Sequence, residues 1–224
     1  MSLASHARAQ THKAEMNPTA QTSKFRETLT ADASDYDVKL TAAAVDGLSR
    51  YYELLSFWNS RVHLVAPCSA EEFATRHVLE SLVLLKHLPN GANVAEVGAG
   101  GGLPILPCLI LRDDLRATLI ESSQKKAVFL REALTKTGIA SRAKVVNERF
   151  ERVAAPSVEF ITCRALERFE QMLTNLFAWA PAKTTLLLFG AKRLEVKIES
   201  LGFPATAELL PHSRGRFLFV VKKQ

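Results

Sequence analysis

Glu96-Val97-Gly98-Ala99-Gly100-Gly101-Gly102-Leu103-Pro104 is the stretch on which the fold turns. The apolar run Asn93–Val97 before it reads as a short strand. Pro104–Arg112 after it reads as a helix, with proline suited to the first helical position. Glycines between a strand and a helix let the backbone take positive φ and approach a ligand closely, at a helix start whose N–H groups favour an anion. Counted from Gly98, the dinucleotide fingerprint G-x-G-x-x-G needs its third glycine where Leu103 stands. The loop is instead G-x-G-x-G over Gly98, Gly100 and Gly102, with the acid Glu96 just before it. That spacing is typical of an S-adenosylmethionine loop. Backbone N–H groups suit the carboxylate of that cofactor, and an acid such as Glu96 suits its ammonium.

Outward from the loop the chain alternates. Ala117–Ile120, Ala143–Val146, Glu159–Cys163 and Thr184–Phe189 read as further strands. Ser123–Thr137, Glu167–Ala178 and Arg193–Ser200 read as helices, and Gly138 ends the first of these. Such alternation implies a parallel sheet with helices on both faces. Thr206–Leu210 and Arg216–Val221 follow with only the turn 211–215 between them, so they pair antiparallel. The expected fold is α/β: a seven-stranded, Rossmann-like class I methyltransferase sheet with a C-terminal antiparallel hairpin. Glu121 ends the second strand roughly 20 residues beyond Gly98, the spacing of a carboxylate that accepts hydrogen bonds from ribose hydroxyls. After the third strand, Phe150 is placed either to cover an adenine ring or to fill core, and Glu151 to reach an adenine amino group.

Upstream, Val45, Leu48, Tyr52, Leu55 and Trp58 recur at helical spacing, which predicts an amphipathic helix over 36–60. Ser69 with Glu72 is a capping-box signature. A second helical stripe, Leu79, Leu82, Val83 and Leu85, runs up to Pro89-Asn90-Gly91. Residues 35–90 therefore form a helical extension packed on the main domain, 91–224. Residues 1–34 carry few large apolar side chains and are expected to be a mobile polar tail.

The 224 residues are 47% hydrophobic and 23% charged, the composition of a globular protein, which excludes collagen, coiled coil and global disorder. No run approaches a membrane span, and Met1–Asn17 has no apolar core of the secretory type. Cys68, Cys108 and Cys163 are too few and too widely spaced for a disulfide framework or a zinc pair, and the six histidines form no metal motif. A cytoplasmic, metal-free monomer is the expectation. The net charge of +6 suits a polyanionic partner.

Several blocks together resemble the RsmG family, also called GidB, bacterial guanine-N7 methyltransferases of small-subunit (16S) ribosomal RNA. They are Trp58-Asn59, Arg76-His77-Val78-Leu79-Glu80-Ser81-Leu82, the loop Gly98–Pro104, Glu121-Ser122, Lys125-Lys126, Arg149-Phe150-Glu151 and Cys163-Arg164-Ala165. The likeness runs from about Leu54 to Lys222. The chain departs from the family pattern at Ala99, at Ile105, at His63-Leu64-Val65, at Cys163 and in Phe189-Gly190-Ala191-Lys192. The resemblance implies cofactor contacts at Gly98, Leu103, Phe150, Glu151 and Arg164. It also implies 16S rRNA or the small ribosomal subunit as partner.

Guanine N7 carries a lone pair and no proton, so its methylation needs no general base and proceeds largely by positioning. Arg164, at the end of the fourth strand, is the candidate catalytic residue, donating to guanine O6 or to the cofactor; pairing with Glu121 or Glu151 is the structural alternative. Cys163 is read as a small buried residue, against the competing role of a thiolate nucleophile for C5 methylation. Lys125, Lys126, Arg168 and Lys192 are the candidate RNA-binding cations. The first two open a helix, where the macrodipole disfavours cations unless an anion compensates.

Overall fold

The computed structural model describes residues 18–164 and 169–223. Seven strands form one sheet: β1 (Asn93–Val97), β2 (Arg116–Ile120), β3 (Ala143–Val146), β4 (Phe160–Arg164), β5 (Thr185–Ala191), β6 (Ala205–Leu209) and β7 (Arg216–Lys222). Their order is β3-β2-β1-β4-β5-β7-β6. The first five are parallel, and β7 inserts antiparallel between β5 and β6. The hairpin expected from the sequence is therefore present, with its second strand on the inside.

The parallel order reverses between β2 and β4 on either side of β1, and a crevice opens at such a switch point, beyond the carboxyl ends of the strands. On one face of the sheet lie α5 (Ile105–Leu111), α6 (Gln124–Lys136) and the N-terminal helices. On the other lie α7 (Phe169–Trp179) and α8 (Arg193–Ser200), giving two apolar cores.

The N-terminal extension begins earlier than the sequence suggested. Residues 18–32 are not a mobile tail but helix α1 (Pro18–Asp32). Phe25 and Leu29, one helical turn apart, are fully buried, and Phe25 stacks on Tyr52 with ring centroids 4.5 Å apart. Two large apolar residues in fifteen are too sparse to announce a helix. The aromatic surface of Tyr52 and Phe73 that they cover exists only in the folded protein. Residues 1–17 lie outside the described residues.

Helix α2 (Ala42–Val62) is capped by Thr41, whose Oγ1 accepts from the Ala44 N–H at 3.2 Å. It ends at His63, in the left-handed region at φ 53°. The second predicted helix is real but broken. Ser69 caps α3 (Ala70–Glu72), and a π-helical segment Phe73–Leu79 follows. Then come α4 (Glu80–Leu82) and a 3-10 turn, Val83–Lys86. Trp58 donates to Glu132 on α6 at 3.0 Å and meets Phe129 edge-on, which fixes α2 across the main domain. No helix among the described residues is long and apolar enough to cross a membrane.

Candidate active site

At the carboxyl ends of β1 to β4 lies a cavity of about 1300 Å³. Its floor is the glycine loop, Gly98 to Gly101 with Leu103. The N–H groups of Gly98 and Ala99 both donate to the Ile120 carbonyl, at 2.9 and 3.1 Å, which turns the chain sharply off β1. Gly98, Gly100 and Gly102 all have positive φ, so the alternation read in the sequence is a conformational requirement. The three are not equivalent. A Cβ at Gly100 would meet only the Gly98 carbonyl, at 3.7 Å, and would otherwise enter open cavity. A Cβ at Gly102 would strike Leu106 of α5 at 2.4 Å. Gly100 keeps space for a ligand, whereas Gly102 lets the loop close onto its helix and does not line the cavity.

The two strand-end acids also differ. Glu121 stands on the cavity wall. Its Oε2 accepts from the Gly100 N–H at 2.8 Å and its Oε1 from the Ser123 N–H at 2.7 Å, so it binds the loop to the start of α6. Each oxygen keeps a lone pair for a ligand hydroxyl. Glu96 is fully buried beneath the loop, not on the wall. Its Oε2 accepts from the Ile105 N–H at 3.3 Å, and its Oε1 has no hydrogen-bond partner. Burial pushes its carboxyl well above the usual carboxylate range. The expected direct pairing of Glu96 with a cofactor ammonium is not available from this position; the side chain supports the loop from below.

Phe150 is placed in core and on the cavity wall at once. It forms part of the wall and packs edge-on against Trp179 at 5.5 Å, within the second core. Glu151 lines the wall beside it, with Arg149 3.5 Å away. Asn147, which the sequence did not single out, joins them by donating to the carbonyls of Glu121 and Ser122.

Arg164 reaches the cavity with its side chain only 14% exposed. Its anionic partner is neither Glu121 nor Glu151 but Glu80, 3.0 Å from Nη2. Nη2 also donates to the Arg76 carbonyl at 2.6 Å, and Nη1 lies 3.5 Å from Ser81 Oγ. Cys163, one residue earlier, is fully buried in the second core and does not line the cavity, which fits the small buried residue and not the nucleophile.

The helical extension closes the remaining side. Asn59 Oδ1 accepts from the Leu64 and Val65 N–H groups at 2.7 and 2.9 Å, holding residues 64–66 over the cavity. The buried Tyr51 hydroxyl donates to the Gly101 carbonyl at 2.6 Å, tying α2 to the glycine loop. His77, on the π-helical segment, also lines the wall. Burial first, then the positive charges of Arg164, Arg76 and Arg216, push its pKa down to about 3, so the imidazole is neutral. No local spacing announced Tyr51 as a site residue, whereas His77 belongs to the block 76–82 that carries the family resemblance, three residues before Glu80 and four before Ser81.

Of the predicted RNA-binding cations, Lys126 lines the cavity and Lys125 is exposed beside it on α6. Lys192 is exposed beyond β5, off the cavity wall, paired with Glu195 and 5.5 Å from the Phe217 ring. Arg168 lies outside the described residues. Arg149 and Arg152, both largely exposed, add positive charge at the cavity mouth.

Comparison with known proteins agrees with this architecture. Residues 45–210 match the GidB family model, described as rRNA small subunit methyltransferase G. Among curated proteins, the chain is 36% identical over 133 residues to "Ribosomal RNA small subunit methyltransferase G" of Nitrosomonas eutropha, covering 58% of this chain and 61% of that protein. The protein of the same name from Chromobacterium violaceum is 37% identical over 143 residues, covering 62% and 68%. That from Xanthomonas axonopodis pv. citri is 41% identical over 127 residues, covering 56% and 59%. The matched region thus spans roughly three fifths to two thirds of these relatives' length. Among solved structures, a SAM-dependent methyltransferase from Aquifex aeolicus superimposes with a TM-score of 0.53 at 17% identity, covering 64% of this chain and 89% of that one. The B. subtilis tRNA methyltransferase TrmK gives 0.51 at 15% identity, covering 65% of each. At such identities the likeness is one of fold.

Proposed function

Because the chain belongs to the GidB family, rRNA small subunit methyltransferase G, we propose that it transfers a methyl group from S-adenosylmethionine to N7 of a guanine in 16S ribosomal RNA. The observation that carries this reading is the open space above Gly100. A positive-φ glycine whose Cβ would enter the cavity lies 2.8 Å from a carboxylate at the next strand end, which fits a nucleoside cofactor. A cavity of about 1300 Å³ exceeds the roughly 300–1,000 Å³ of a small-molecule site and leaves room for an extruded base beside the cofactor.

When bound, the cofactor supplies an electrophilic methyl on sulfur. Glu121 accepts hydrogen bonds from ribose hydroxyls, Phe150 covers the adenine, and Glu151 takes its amino edge. Gly98, Gly100 and Leu103 form the floor beneath the cofactor. Arg164 donates to guanine O6 or to the cofactor and aligns the reactants. Guanine N7 has no proton to lose, so a neutral His77 and a guanidinium suffice where an amine substrate would need a base. Neutrality of His77 also avoids a further positive charge beside a sulfonium. Lys126, Arg149 and Arg152 at the mouth, with Lys125 and Lys192 further out, attract the phosphates of the RNA, and Arg168 is assigned the same role from the sequence alone. The protein acts as a monomer in the cytoplasm, on the small subunit or its RNA.

The test is transfer of labelled methyl to ribosomal RNA and to small subunits from a strain lacking this activity, followed by mapping of the modified base. Label at N7 of a single 16S guanine is expected. Label at another base, or only in a small-molecule acceptor, would refute the substrate assignment while leaving the cofactor assignment intact.

A further inference from the structure

Glu80 is a fully buried carboxylate held between two arginines that the sheet brings together. Its Oε1 accepts from Arg216 Nε at 2.8 Å and Nη2 at 2.6 Å, and its Oε2 from Arg164 Nη2 at 3.0 Å. Arg164 ends β4 and Arg216 begins β7. Strand β5 lies between them, pairing Arg164 with Phe189 and Arg216 with Ala191. Both guanidinium groups therefore stand at the same end of the sheet, and Glu80 enters from the helical extension. A buried carboxylate is costly unless paired and well hydrogen-bonded, and this one meets three N–H donors.

The consequence falls on Arg164. A guanidinium has five N–H donors in a fixed plane. Both donors of Nη2 are taken, one by Glu80 and one by the Arg76 carbonyl, while Nη1 lies against Ser81. The plane is thus fixed against the helical extension, and the side chain still lines the cavity. Two arginines against one carboxylate also leave one unbalanced positive charge at that wall.

We propose that Glu80 is a positioning residue for the methyl transfer, acting through Arg164: it fixes the guanidinium plane so that the donors left over face an oxygen acceptor on the reactants. This rests on the role given above to Arg164. Arg216 satisfies the other carboxylate oxygen and keeps the triad cationic. The helical extension is then part of the catalytic apparatus as well as a cover for the sheet.

A double-mutant cycle separates this role from a purely structural one. Single-turnover methyl transfer and cofactor affinity are measured for wild type, Glu80→Gln, Arg164→Ala and the double variant. Glu80→Gln should slow turnover at least tenfold. In the Arg164→Ala background it should change turnover less than about twofold, because a residue acting through a missing partner has nothing left to act on. Nitrogen relaxation of the Arg164 Nε–H in cofactor-free protein should report a rigid group in wild type and a mobile one in Glu80→Gln. The variant Glu80→Gln with Arg216→Gln keeps the net charge of the cluster. Should Glu80→Gln alone not fold, this pair carries the same cycle. Effects that multiply in the double variant, or an Arg164 side chain equally rigid without Glu80, would overturn the proposal. Undiminished turnover in Arg164→Ala would instead overturn the catalytic role of Arg164, and this inference with it.

Discussion

His77→Gln should flatten the acid limb of this protein's stability. In the folded chain burial and three neighbouring arginines hold the imidazole pKa down to about 3, against about 6.5 when unfolded. The sign follows from which state binds the proton. Above pH 6.5 neither state does, and the contribution is complete. Below pH 6.5 the unfolded chain takes up a proton that the folded chain refuses, so stability falls with pH until about pH 3. At about 1.4 kcal/mol per pH unit below the unfolded pKa, the loss between pH 8 and pH 5 is about 2 kcal/mol. With a urea m value of about 2 kcal/mol/M, the midpoint drops by about 1 M. The assay is urea unfolding followed by circular dichroism at both pH values, for wild type and His77→Gln. Groups such as Asp114, held below the usual carboxylate range by Arg112 and the Gly91 N–H, titrate alike in both proteins and cancel. The variant should lack about 2 kcal/mol of the pH dependence. An identical pH dependence in the two proteins, or a His77 ring signal that titrates between pH 6 and 7, would refute the placement of a desolvated imidazole against Arg164.

The two inner glycines should fail differently. Gly100→Val should abolish cofactor binding by calorimetry because its side chain enters the cavity, whereas Gly102→Ala should mainly lower stability, by about 2–4 kcal/mol from left-handed strain and overpacking against Leu106. Lys125→Ala should lower the slope of log K for RNA against log salt by about 0.7–0.9 and leave cofactor affinity unchanged. Arg164→Ala should reduce turnover with little change in that slope, read by filter binding at several salt concentrations and by single-turnover rates. Cys163→Ser should keep turnover within about tenfold of wild type while costing about 1–3 kcal/mol of stability for a hydroxyl placed in an apolar core; a loss beyond about 100-fold, about 2.7 kcal/mol on the barrier, would restore the thiolate mechanism.

The sequence alone determined the features that depend on neighbouring residues. Alternating strand and helix periods implied the parallel sheet, and a short turn between the last two strands required them to be antiparallel. The G-x-G-x-G spacing located three positive-φ positions because only glycine takes them without a steric cost. The backbone position of Glu121 was legible for a related reason: it follows the strand paired in parallel with β1, so it had to lie next to the glycine loop.

Tertiary structure alone decided what depends on residues far apart in the chain. Glu96 and Glu121 have the same chemistry and both lie at strand ends, yet one is sealed under the loop and the other lines the cavity. Their fates are set by the packing of α5 and α6, which no local pattern encodes. Phe25 and Leu29 looked insufficient to order a helix because the aromatic surface they bury is assembled from α2 and the π-helical segment. Glu80 meets Arg164 across 84 residues of chain and Arg216 across 136, by way of a helical extension laid over the sheet. A buried charge network of that reach has no sequence period, since side-chain periodicity records only which face of an element is buried, not which charge waits on the other side.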